Sequence, residues 1–367
     1  MNLNKEKRVV LTLDAGGTNF AFSAIQGNEE IVETIVLPAN ADNLDKCIAS
    51  VIEGFEQVVE NLSVPFDAIS FAFPGPADYE LGIIGNLPNF KAFNGGVPLG
   101  PILEDHFNVP VHINNDGNLY AYGEALSGAL PQVNAKLKSM GSPKRFNNLI
   151  GLTLGTGFGA GIVFDNLLIK GDNSCGAEIH NTLNTTNKDW NAEESVSTRA
   201  IIREYITNGG NGDPSKLMPI DIAEIAQGKQ PGNKEAAIKS YQLYGKGLGA
   251  SIANIVTLID GLVVLGGGIT KAWELFSGSL FEELNRKYKS GDSENDRLSF
   301  RVFNLEDPAE LALFGKGEKR TIKVQGSGRT ITYDAMPRTA VTVSTLGASK
   351  ATWLGSYAYA IQKLDNQ

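Results

Sequence analysis

Three apolar stretches of this chain each run directly into a glycine-rich turn. The stretches are residues 9–14, 149–154 and 262–265, and the turns are 15–18, 155–161 and 266–268. Adjacent glycines let the backbone approach a bulky anion closely, and successive amides in such turns form concave sites for phosphate. Ordinary hairpin loops use the same residues. Ligands of α/β proteins bind at strand ends, so the repetition predicts an α/β protein with phosphate-binding turns.

The first two turns share one strand–turn–strand architecture. Residues 20–25 continue as a strand after the first turn, and residues 162–164 do so after the second. This repeat suggests an internal duplication that clamps a nucleotide between two domains. A length of 367 residues also favours two domains over one. Asp14, at the mouth of the first turn, could hold a water or a divalent cation, with Mg²⁺ bound through water or phosphate.

A second group of candidate residues lies in loops that follow other strands. The predicted strand 67–73 ends at Gly75 and its flanking prolines, and Asn86 lies in the polar loop 85–96. Asn115 and Asp116 separate a short strand from a helix, where a carboxylate lies in the positive field of the helix N-terminus. Asp116 could instead serve only as the N-cap, and Asn86 could be an ordinary turn residue.

The remaining segments give a coarse outline of the chain. Residues 135–147 are basic and polar and suggest a surface or inter-domain loop, whereas 233–258 has the periodicity of a long core helix. Residues 306–338 resist the α/β pattern, although 321–324 and 330–333 predict a projecting β-hairpin. A helix at 347–364 closes the chain.

Composition narrows the class of function. The net charge of −9 argues against broad nucleic-acid binding, which needs a basic face, but it does not forbid an anionic nucleotide. No apolar stretch approaches the length of a membrane span, and the early Asp14 argues against a signal peptide. Cys47 and Cys175 are too few for a disulfide framework. We expect a cytoplasmic protein without membrane or nucleic-acid partners.

The order and spacing of several short motifs resemble those of the ROK family of sugar kinases and repressors, within the actin-like ATPase superfamily. The resemblance runs along almost the whole chain. The matching motifs are DAGGTN at 14–19, FPGP at 73–76, GNLPNF at 85–90, NDGN at 115–118 with GE at 123–124, LGTGFGAG at 154–161 and VLGGG at 264–268.

This resemblance implies two ribonuclease-H-like domains with a cleft between them, closing over ATP and a sugar. Residues 1–130, closed by the helix 347–367, would form the N-terminal domain. Residues 131–346 would form the C-terminal domain, with a β-hairpin insertion at 306–338. The implied cofactors are ATP and Mg²⁺, and the implied partner is a small sugar, with a homodimer as a further expectation.

The resemblance also implies roles for individual residues. Asp116 resembles the catalytic base, which would accept the proton of the attacking sugar hydroxyl. The sugar contacts implied by position are Gly75, Asn86, Asn115, Glu178, Asn181 and Glu193. The phosphate and adenosine contacts implied by position are Asp14, Gly16, Gly17, Thr18, Thr156, Gly157, Gly267 and Gly268. Without the resemblance, Glu178 and Glu193 could equally be solvated surface charges.

Two departures from the family pattern affect these expectations. Read without gaps, the His of the family's E-x-G-H motif falls at Asn181, and His180 lies one position early. Either residue could therefore take its place. The family's zinc motif of one His and three Cys is missing, because residues 184–191 contain no Cys. Structural zinc prefers sulfur-rich tetrahedral sites, so we expect no zinc and a loop held by hydrogen bonds instead.

Three functions follow, in order of preference. The first is an ATP-dependent, glucokinase-like kinase for a hexose or an N-acetylhexosamine. The second is a sugar-sensing regulator of the same family, which is disfavoured because only about eight residues precede the first strand, too few for a helix-turn-helix module. The third is a sugar- or nucleotide-binding protein without kinase activity, which the altered E-x-G-H segment leaves open.

Overall fold

The computed structural model describes residues 3–75, 77–85 and 93–366. The strands are β1 Val10–Ala15, β2 Asn19–Gln26, β3 Glu29–Glu30, β4 Ile35–Pro38, β5 Ala68–Ala72, β6 Ala77–Asp78, β7 Ile83–Ile84, β8 Val111–Asn114, β9 Leu149–Leu154, β10 Phe158–Phe164, β11 Leu167–Leu168, β12 Leu262–Gly266, β13 Lys287–Ser290, β14 Ser293–Asp296, β15 Arg301–Asn304, β16 Lys319–Lys323, β17 Thr330–Asp334 and β18 Arg338–Val343. The α-helices are α1 Leu44–Glu60, α2 Leu99–Phe107, α3 Asp116–Leu126, α4 Ala129–Ser139, α5 Thr198–Thr207, α6 Pro219–Ala226, α7 Lys234–Ile259, α8 Trp273–Leu284, α9 Pro308–Lys316 and α10 Ala348–Asp365.

The chain divides into two compact units. Unit 1 comprises the residues up to Gly128, residues Gly161–Ala177 and the chain from Leu346 onward. Unit 2 comprises residues Ala129–Ala160 and Glu178–Thr345. The sequence-based division placed residues 161–177 in the second domain, whereas here they group with unit 1. The domain boundaries given above stay a prediction.

Unit 1 is built on a mixed sheet in the order β3-β2-β1-β5-β8, with β4 paired to β2. The β1–β2 pair is antiparallel, and β1, β5 and β8 run parallel. Helix α1 presents an apolar stripe to this sheet, and the Phe55 ring contacts Phe22 edge to face at 5.1 Å. The parallel strands therefore bring the ends of β1, β5 and β8 to one edge of the sheet.

Helix α10 packs so closely on α3 that only glycine fits at their contact. A Cβ added to Gly355 would lie 1.8 Å from the Leu119 carbonyl oxygen, and one added to Gly123 would lie 1.9 Å from that of Ala351. Helix α3 thus has one possible position against α10. Its first turn is also fixed, because Gly161 of β10 lies against the Gly117 carbonyl with no room for a side chain.

The second sheet has the order β11-β10-β9-β12-β18-β15. Strands β9, β12, β18 and β15 belong to unit 2 and run parallel to one another. Strands β9 and β12 are almost entirely buried and read as near-continuous apolar runs, as parallel strands covered on both faces do. The long helix α7 packs against α8, where Gly245 allows close contact with the Phe276 carbonyl. The predicted α/β fold class is confirmed.

Two segments differ from the sequence-based outline. The first five residues of the stretch predicted as a loop at 135–147 are helical, because Leu130, Val133 and Leu137 form a buried stripe of α4 that the surrounding lysines obscure. The segment 306–338 contains helix α9, which begins where Asp307 accepts hydrogen bonds from the amides of Ala309 and Glu310. Its other part is the hairpin of β16 and β17, at the predicted position.

None of the helices in the described part of the chain is long and apolar enough to cross a membrane.

Candidate active site

Asp116 is the first residue of α3, directly after the end of β8. The preceding Asn115 is the N-cap, and its side-chain oxygen accepts hydrogen bonds from the amides of Gly117 at 2.8 Å and Asn118 at 3.4 Å. The capping role considered for Asp116 is therefore filled by Asn115. The Asp116 side chain is exposed, and its Oδ1 accepts a hydrogen bond from the Gly117 amide at 2.8 Å.

The pKa of the Asp116 carboxyl is raised above its ordinary value. Desolvation by the surrounding protein is the main cause, and the Gly117 amide opposes it by stabilising the charged form. The carboxylate of Asp14 raises the pKa further through charge repulsion. Asp116 is thus open at its surface but sits in a recess that disfavours its charge. A carboxylate in this state is a better proton acceptor than an ordinary surface Asp.

A polar cavity adjoins the β8–α3 junction within unit 1. Its volume is 540 Å³, which lies within the usual range for small-molecule sites. Asn114 and Asn118, two positions on either side of Asp116, belong to its lining and are buried. The rest of the lining consists of residues 77–81 and 170–174, with Lys170 paired to Glu80 at 2.7 Å.

Turn 1, residues 14–18, joins β1 to β2 in unit 1. The Gly16 amide donates to the Asp14 carbonyl at 3.2 Å, and a Cβ on Gly16 would lie 2.7 Å from the Asn19 carbonyl oxygen. Gly17 and Thr18 are exposed, and the space beside Gly17 is open. The turn therefore presents exposed backbone, as a phosphate-binding turn must.

Turn 2, residues 155–158, joins β9 to β10 and exposes Thr156 and Gly157. The Gly155 amide donates to the Gly157 carbonyl at 3.1 Å. The Gly155 carbonyl accepts two hydrogen bonds from Thr198, from the amide at 2.9 Å and from Oγ1 at 3.0 Å. At the other end of the turn, the Phe158 amide donates to Oε2 of Glu193 at 2.9 Å. A separate segment of unit 2 thus holds turn 2 at both ends.

Glu193 lies in a short 3₁₀ helix, Ala192–Glu194, just before α5. Its Oε1 accepts a hydrogen bond from Nη2 of Arg199 at 2.7 Å. Both carboxylate oxygens of Glu193 therefore have a protein partner. This arrangement does not match a solvated surface charge.

The segment that departs from the family pattern forms a 3₁₀ helix, Ile179–Asn181. Nδ1 of His180 lies 2.9 Å from Oε2 of Glu178. Asn181 is exposed, and its backbone amide donates to the backbone carbonyl of Glu178 at 3.1 Å. The side chain paired with Glu178 is therefore that of His180. Which of the two residues contacts a sugar stays a prediction.

The cysteine-free loop that follows is organised by the buried side chain of Asn184. Its amide nitrogen donates to the Asn191 carbonyl at 2.9 Å and to Oγ of Ser195 at 2.7 Å. Its oxygen accepts from the Thr186 amide at 2.9 Å, the Thr186 hydroxyl at 2.7 Å and the Asn187 amide at 3.1 Å. These hydrogen bonds hold the loop, as expected from the missing cysteines.

The third glycine turn lies at the end of β12. Gly267 has a φ of 95°, and a Cβ there would lie 2.3 Å from the Leu154 carbonyl oxygen. Gly267 therefore packs on the end of β9, just before turn 2, and Gly268 begins a 3₁₀ helix. Gly75 lies close to Tyr79, whose hydroxyl would be 2.9 Å from an added Cβ. Asn86 lies outside the described residues.

The candidate residues are distributed over both units. Unit 1 contains Asp14, Gly16, Gly17, Thr18, Gly75, Asn115 and Asp116. Unit 2 contains Thr156, Gly157, Glu178, Asn181, Glu193, Gly267 and Gly268. Within residues 3–75, 77–85 and 93–366, no group of at least three His, Cys, Asp or Glu side chains is arranged to hold a metal ion.

Sequence reasoning missed two residues that shape the site in unit 2. Asn184 could not be distinguished from the other polar residues of its loop, because its role depends on burial. The role of Arg199 could have been predicted, because a Glu-Glu pair at 193–194 precedes basic residues at 199 and 203 around the start of a helix. That order of charges is typical of an ion-paired helix terminus.

Unit 1 thus has a carboxylate of raised pKa at a strand–helix junction, and each unit has an exposed glycine turn that follows a strand. The ROK family model matches residues 10–309, so this chain belongs to the ROK family.

The chain is also similar to three known proteins. The crystal structure of a glucokinase from Parabacteroides distasonis is 47% identical, covers 99% of both chains and superimposes with a TM-score of 0.90. A ROK glucokinase from Streptomyces griseus, in complex with glucose and AMPPNP, is 18% identical over 95% of this chain and 98% of its own, with a TM-score of 0.61. A xylose repressor from Caldicellulosiruptor bescii is 28% identical over 66% of this chain and 59% of its own length.

Proposed function

We propose that this protein transfers the γ-phosphoryl group of ATP to a hydroxyl of a hexose or an N-acetylhexosamine. The observation that carries the proposal is the state of Asp116. Its side chain is exposed at the start of a helix that close packing holds in place, and desolvation and Asp14 raise its pKa. The 47% identity to a glucokinase supports a sugar kinase and favours glucose as the acceptor.

Asp116 is the proposed general base. As the sugar hydroxyl oxygen forms its bond to the γ-phosphorus, the hydroxyl proton passes to the Asp116 carboxylate, and the bond to the β-phosphate oxygen breaks to release ADP. Phosphoryl transfer needs mainly positioning and neutralisation of charge rather than covalent help from the protein. The hydrogen bond from Gly117 fixes the carboxylate, so one oxygen keeps a defined direction for the incoming proton.

The nucleotide phosphates are assigned to the two glycine turns, and the adenosine to Gly267 and Gly268. Thr18 with Gly16 and Gly17, and Thr156 with Gly157, would donate backbone amides or hydroxyls to phosphate oxygens. Asp14 suits Mg²⁺ binding, because its carboxylate lies near enough to Asp116 to affect that residue's pKa and because Mg²⁺ is usually held by one or two carboxylates, water and phosphate. When bound, the ion would neutralise charge on the phosphates.

The sugar contacts are assigned to Gly75, Asn86, Asn115, Glu178, Glu193 and either His180 or Asn181. The two polar atoms of the Asn115 side chain have different proposed roles. Its oxygen caps α3, so its amide nitrogen remains to donate to a sugar hydroxyl. Ionised acceptors such as Glu178 make stronger hydrogen bonds to hydroxyls than neutral groups do.

A sugar-responsive regulator without kinase activity is the second candidate. The 28% identity to a xylose repressor supports it, because that relative is a regulator rather than a kinase. Such a protein would bind sugar without consuming ATP.

Release of ADP from MgATP in the presence of a panel of hexoses and N-acetylhexosamines separates the two candidates. We expect at least one sugar to stimulate ADP release, and we expect Asp116→Asn to abolish that stimulation. A sugar that raises the melting temperature without stimulating ADP release would favour the regulator instead.

A further inference from the structure

Turn 2 is held by residues 193–198, a short segment that includes Glu193, which the proposed function assigns to the sugar. Thr198 donates twice to the Gly155 carbonyl, and Glu193 accepts from the Phe158 amide at 2.9 Å. Of the four residues in turn 2, the first and the last are therefore fixed by groups outside the turn. The exposed pair between them, Thr156 and Gly157, takes its position from these anchors.

The carboxylate of Glu193 is electrostatically unfavourable beside a turn that binds phosphate. Oε2 of Glu193 lies 3.1 Å from the position that a Cβ on Gly157 would occupy, so a full negative charge lies beside the backbone assigned to phosphate. Phosphate carries the same sign of charge, and like charges in a partly desolvated site repel strongly. The anchor is compatible with ATP only if its charge is compensated.

Arg199 supplies that compensation. Its Nη2 donates to the other oxygen of Glu193 at 2.7 Å and also contacts Glu194 at 2.7 Å. Charge-assisted hydrogen bonds of this kind fix both the charge and the orientation of a carboxylate. Because Arg199 is held by two carboxylates, the guanidinium cannot turn away without breaking both contacts.

We propose that Arg199 is a positioning residue for turn 2: it neutralises and orients Glu193, which in turn holds the Phe158 amide and thereby sets the phosphate-binding backbone. The proposal rests on the assignment of turn 2 to ATP phosphates. Glu193 would then have two roles, the proposed sugar contact and the support of turn 2 through the Phe158 amide. A sugar hydroxyl bound to Glu193 would share its acceptor with turn 2, so the affinities for sugar and MgATP would be linked through this side chain.

Direct binding of MgATP to the full-length protein, measured by isothermal titration calorimetry without sugar, tests the proposal independently of turnover. Removing the partner of a charged hydrogen bond typically costs about tenfold in an equilibrium constant, so we expect Arg199→Ala to weaken MgATP binding by about tenfold. Arg199→Lys keeps the charge and should retain most of the affinity. Glu193→Gln removes the charge that Arg199 compensates, so Arg199→Ala should cost much less in the Glu193→Gln background.

Arg203 provides the matched control. It lies in the same helix and pairs with Glu194 at 2.9 Å, but its guanidinium stacks on Trp190 rather than bonding to Glu193. Arg203→Ala should therefore leave MgATP affinity close to that of the wild type. In a kinase assay, Arg199→Ala should raise the KM for ATP and leave kcat at saturating ATP nearly unchanged.

The outcomes separate this inference from the proposed function. If wild-type protein binds no MgATP, both the proposed function and this inference are wrong. If wild type binds MgATP and Arg199→Ala binds it equally well, only this inference is wrong. Equal losses in Arg199→Ala and Arg203→Ala, or a full loss in the Glu193→Gln background, would show a general structural role and would also overturn it.

Discussion

Turns 1 and 2 share a strand–turn–strand architecture but are stabilised in different ways. In turn 1, the Gly16 amide bonds to the Asp14 carbonyl, both within the turn, and the space beside Gly17 is open. In turn 2, the carbonyl of Gly155 and the amide of Phe158 are bonded to side chains and backbone between 193 and 198. Turn 1 is thus held by backbone hydrogen bonds, one within the turn and one from the Ala39 amide to the Thr18 carbonyl at 2.9 Å, whereas turn 2 is also held by the side chains of Glu193 and Thr198.

Under the proposed function, the two turns contribute to different steps. Turn 1 lies in the same unit as Asp116, and its Asp14 affects the pKa of that carboxyl, so the proposed proton transfer belongs to unit 1. Turn 2 takes its position from a loop that Asn184 organises and that contains Glu193. Changes in that loop should therefore act on nucleotide binding, whereas changes around Asp116 should act on turnover.

Asp116→Asn should give the largest effect. Losing a general base typically costs about 10²–10⁴-fold in rate, so we expect a fall in kcat of that order. Affinity for sugar and MgATP and the melting temperature should stay close to wild type, since Asn keeps the size of the side chain. Asp105→Asn, an exposed carboxylate of α2, is the matched control and should be fully active. Wild-type kcat in the Asp116 variant would contradict the base assignment.

Asn184→Ala should destabilise unit 2 and weaken MgATP binding together. It removes the hydrogen bonds of a buried side chain and leaves its partly buried partners unsatisfied, which costs about 1–3 kcal/mol of unfolding free energy. The control is Asn43→Ala, which removes the N-cap of α1 in unit 1 at a cost of about 1 kcal/mol. Chemical denaturation and calorimetry measure both quantities. If Asn43→Ala weakened MgATP binding as much as Asn184→Ala, turn 2 would not depend specifically on its supporting loop.

A paired alanine substitution compares the turns directly. An added Cβ meets nothing within 4 Å at Gly17 but meets Glu193 at Gly157. We expect Gly157→Ala to cost about 1 kcal/mol of unfolding free energy through crowding, and Gly17→Ala to stay within about 0.5 kcal/mol of wild type. Thermal or urea unfolding distinguishes them. Equal losses would mean that turn 2 is no more constrained than turn 1.

The pH dependence of activity should show the smallest effect. The base must be ionised to act, and the pKa of Asp116 is raised, so kcat/KM should fall with decreasing pH earlier than for an ordinary Asp. Asp14→Asn removes one cause of the shift, so the acidic midpoint of the profile should move to lower pH, whatever happens to the absolute rate. The midpoint is read from kcat/KM for MgATP against pH, which reports the protein before Mg²⁺ and nucleotide bind. A midpoint that stays in place or moves upward would exclude this coupling.

Glycine turns after apolar strands could be predicted from the sequence, because each strand and its turn lie in one short continuous stretch of the chain. The order of β1, β2 and β5 and the placement of Asp116 at a strand–helix junction follow from such patterns. Helix α4 was missed because its apolar stripe is narrow and its exposed face is lysine-rich. The anchoring of turn 2 could not be predicted, since Phe158 and Glu193 are 35 positions apart, and only the folded chain brings them within hydrogen-bond distance.

The central claim is that Asp116 accepts a proton while phosphate moves from ATP to a sugar. Transfer of ³²P from γ-labelled ATP to glucose and N-acetylglucosamine, followed by separation of the sugar phosphate, tests this most directly. We predict a labelled sugar phosphate with wild-type protein and almost none with Asp116→Asn at matched, saturating substrate. Labelled product at equal rates from both proteins would contradict the claim.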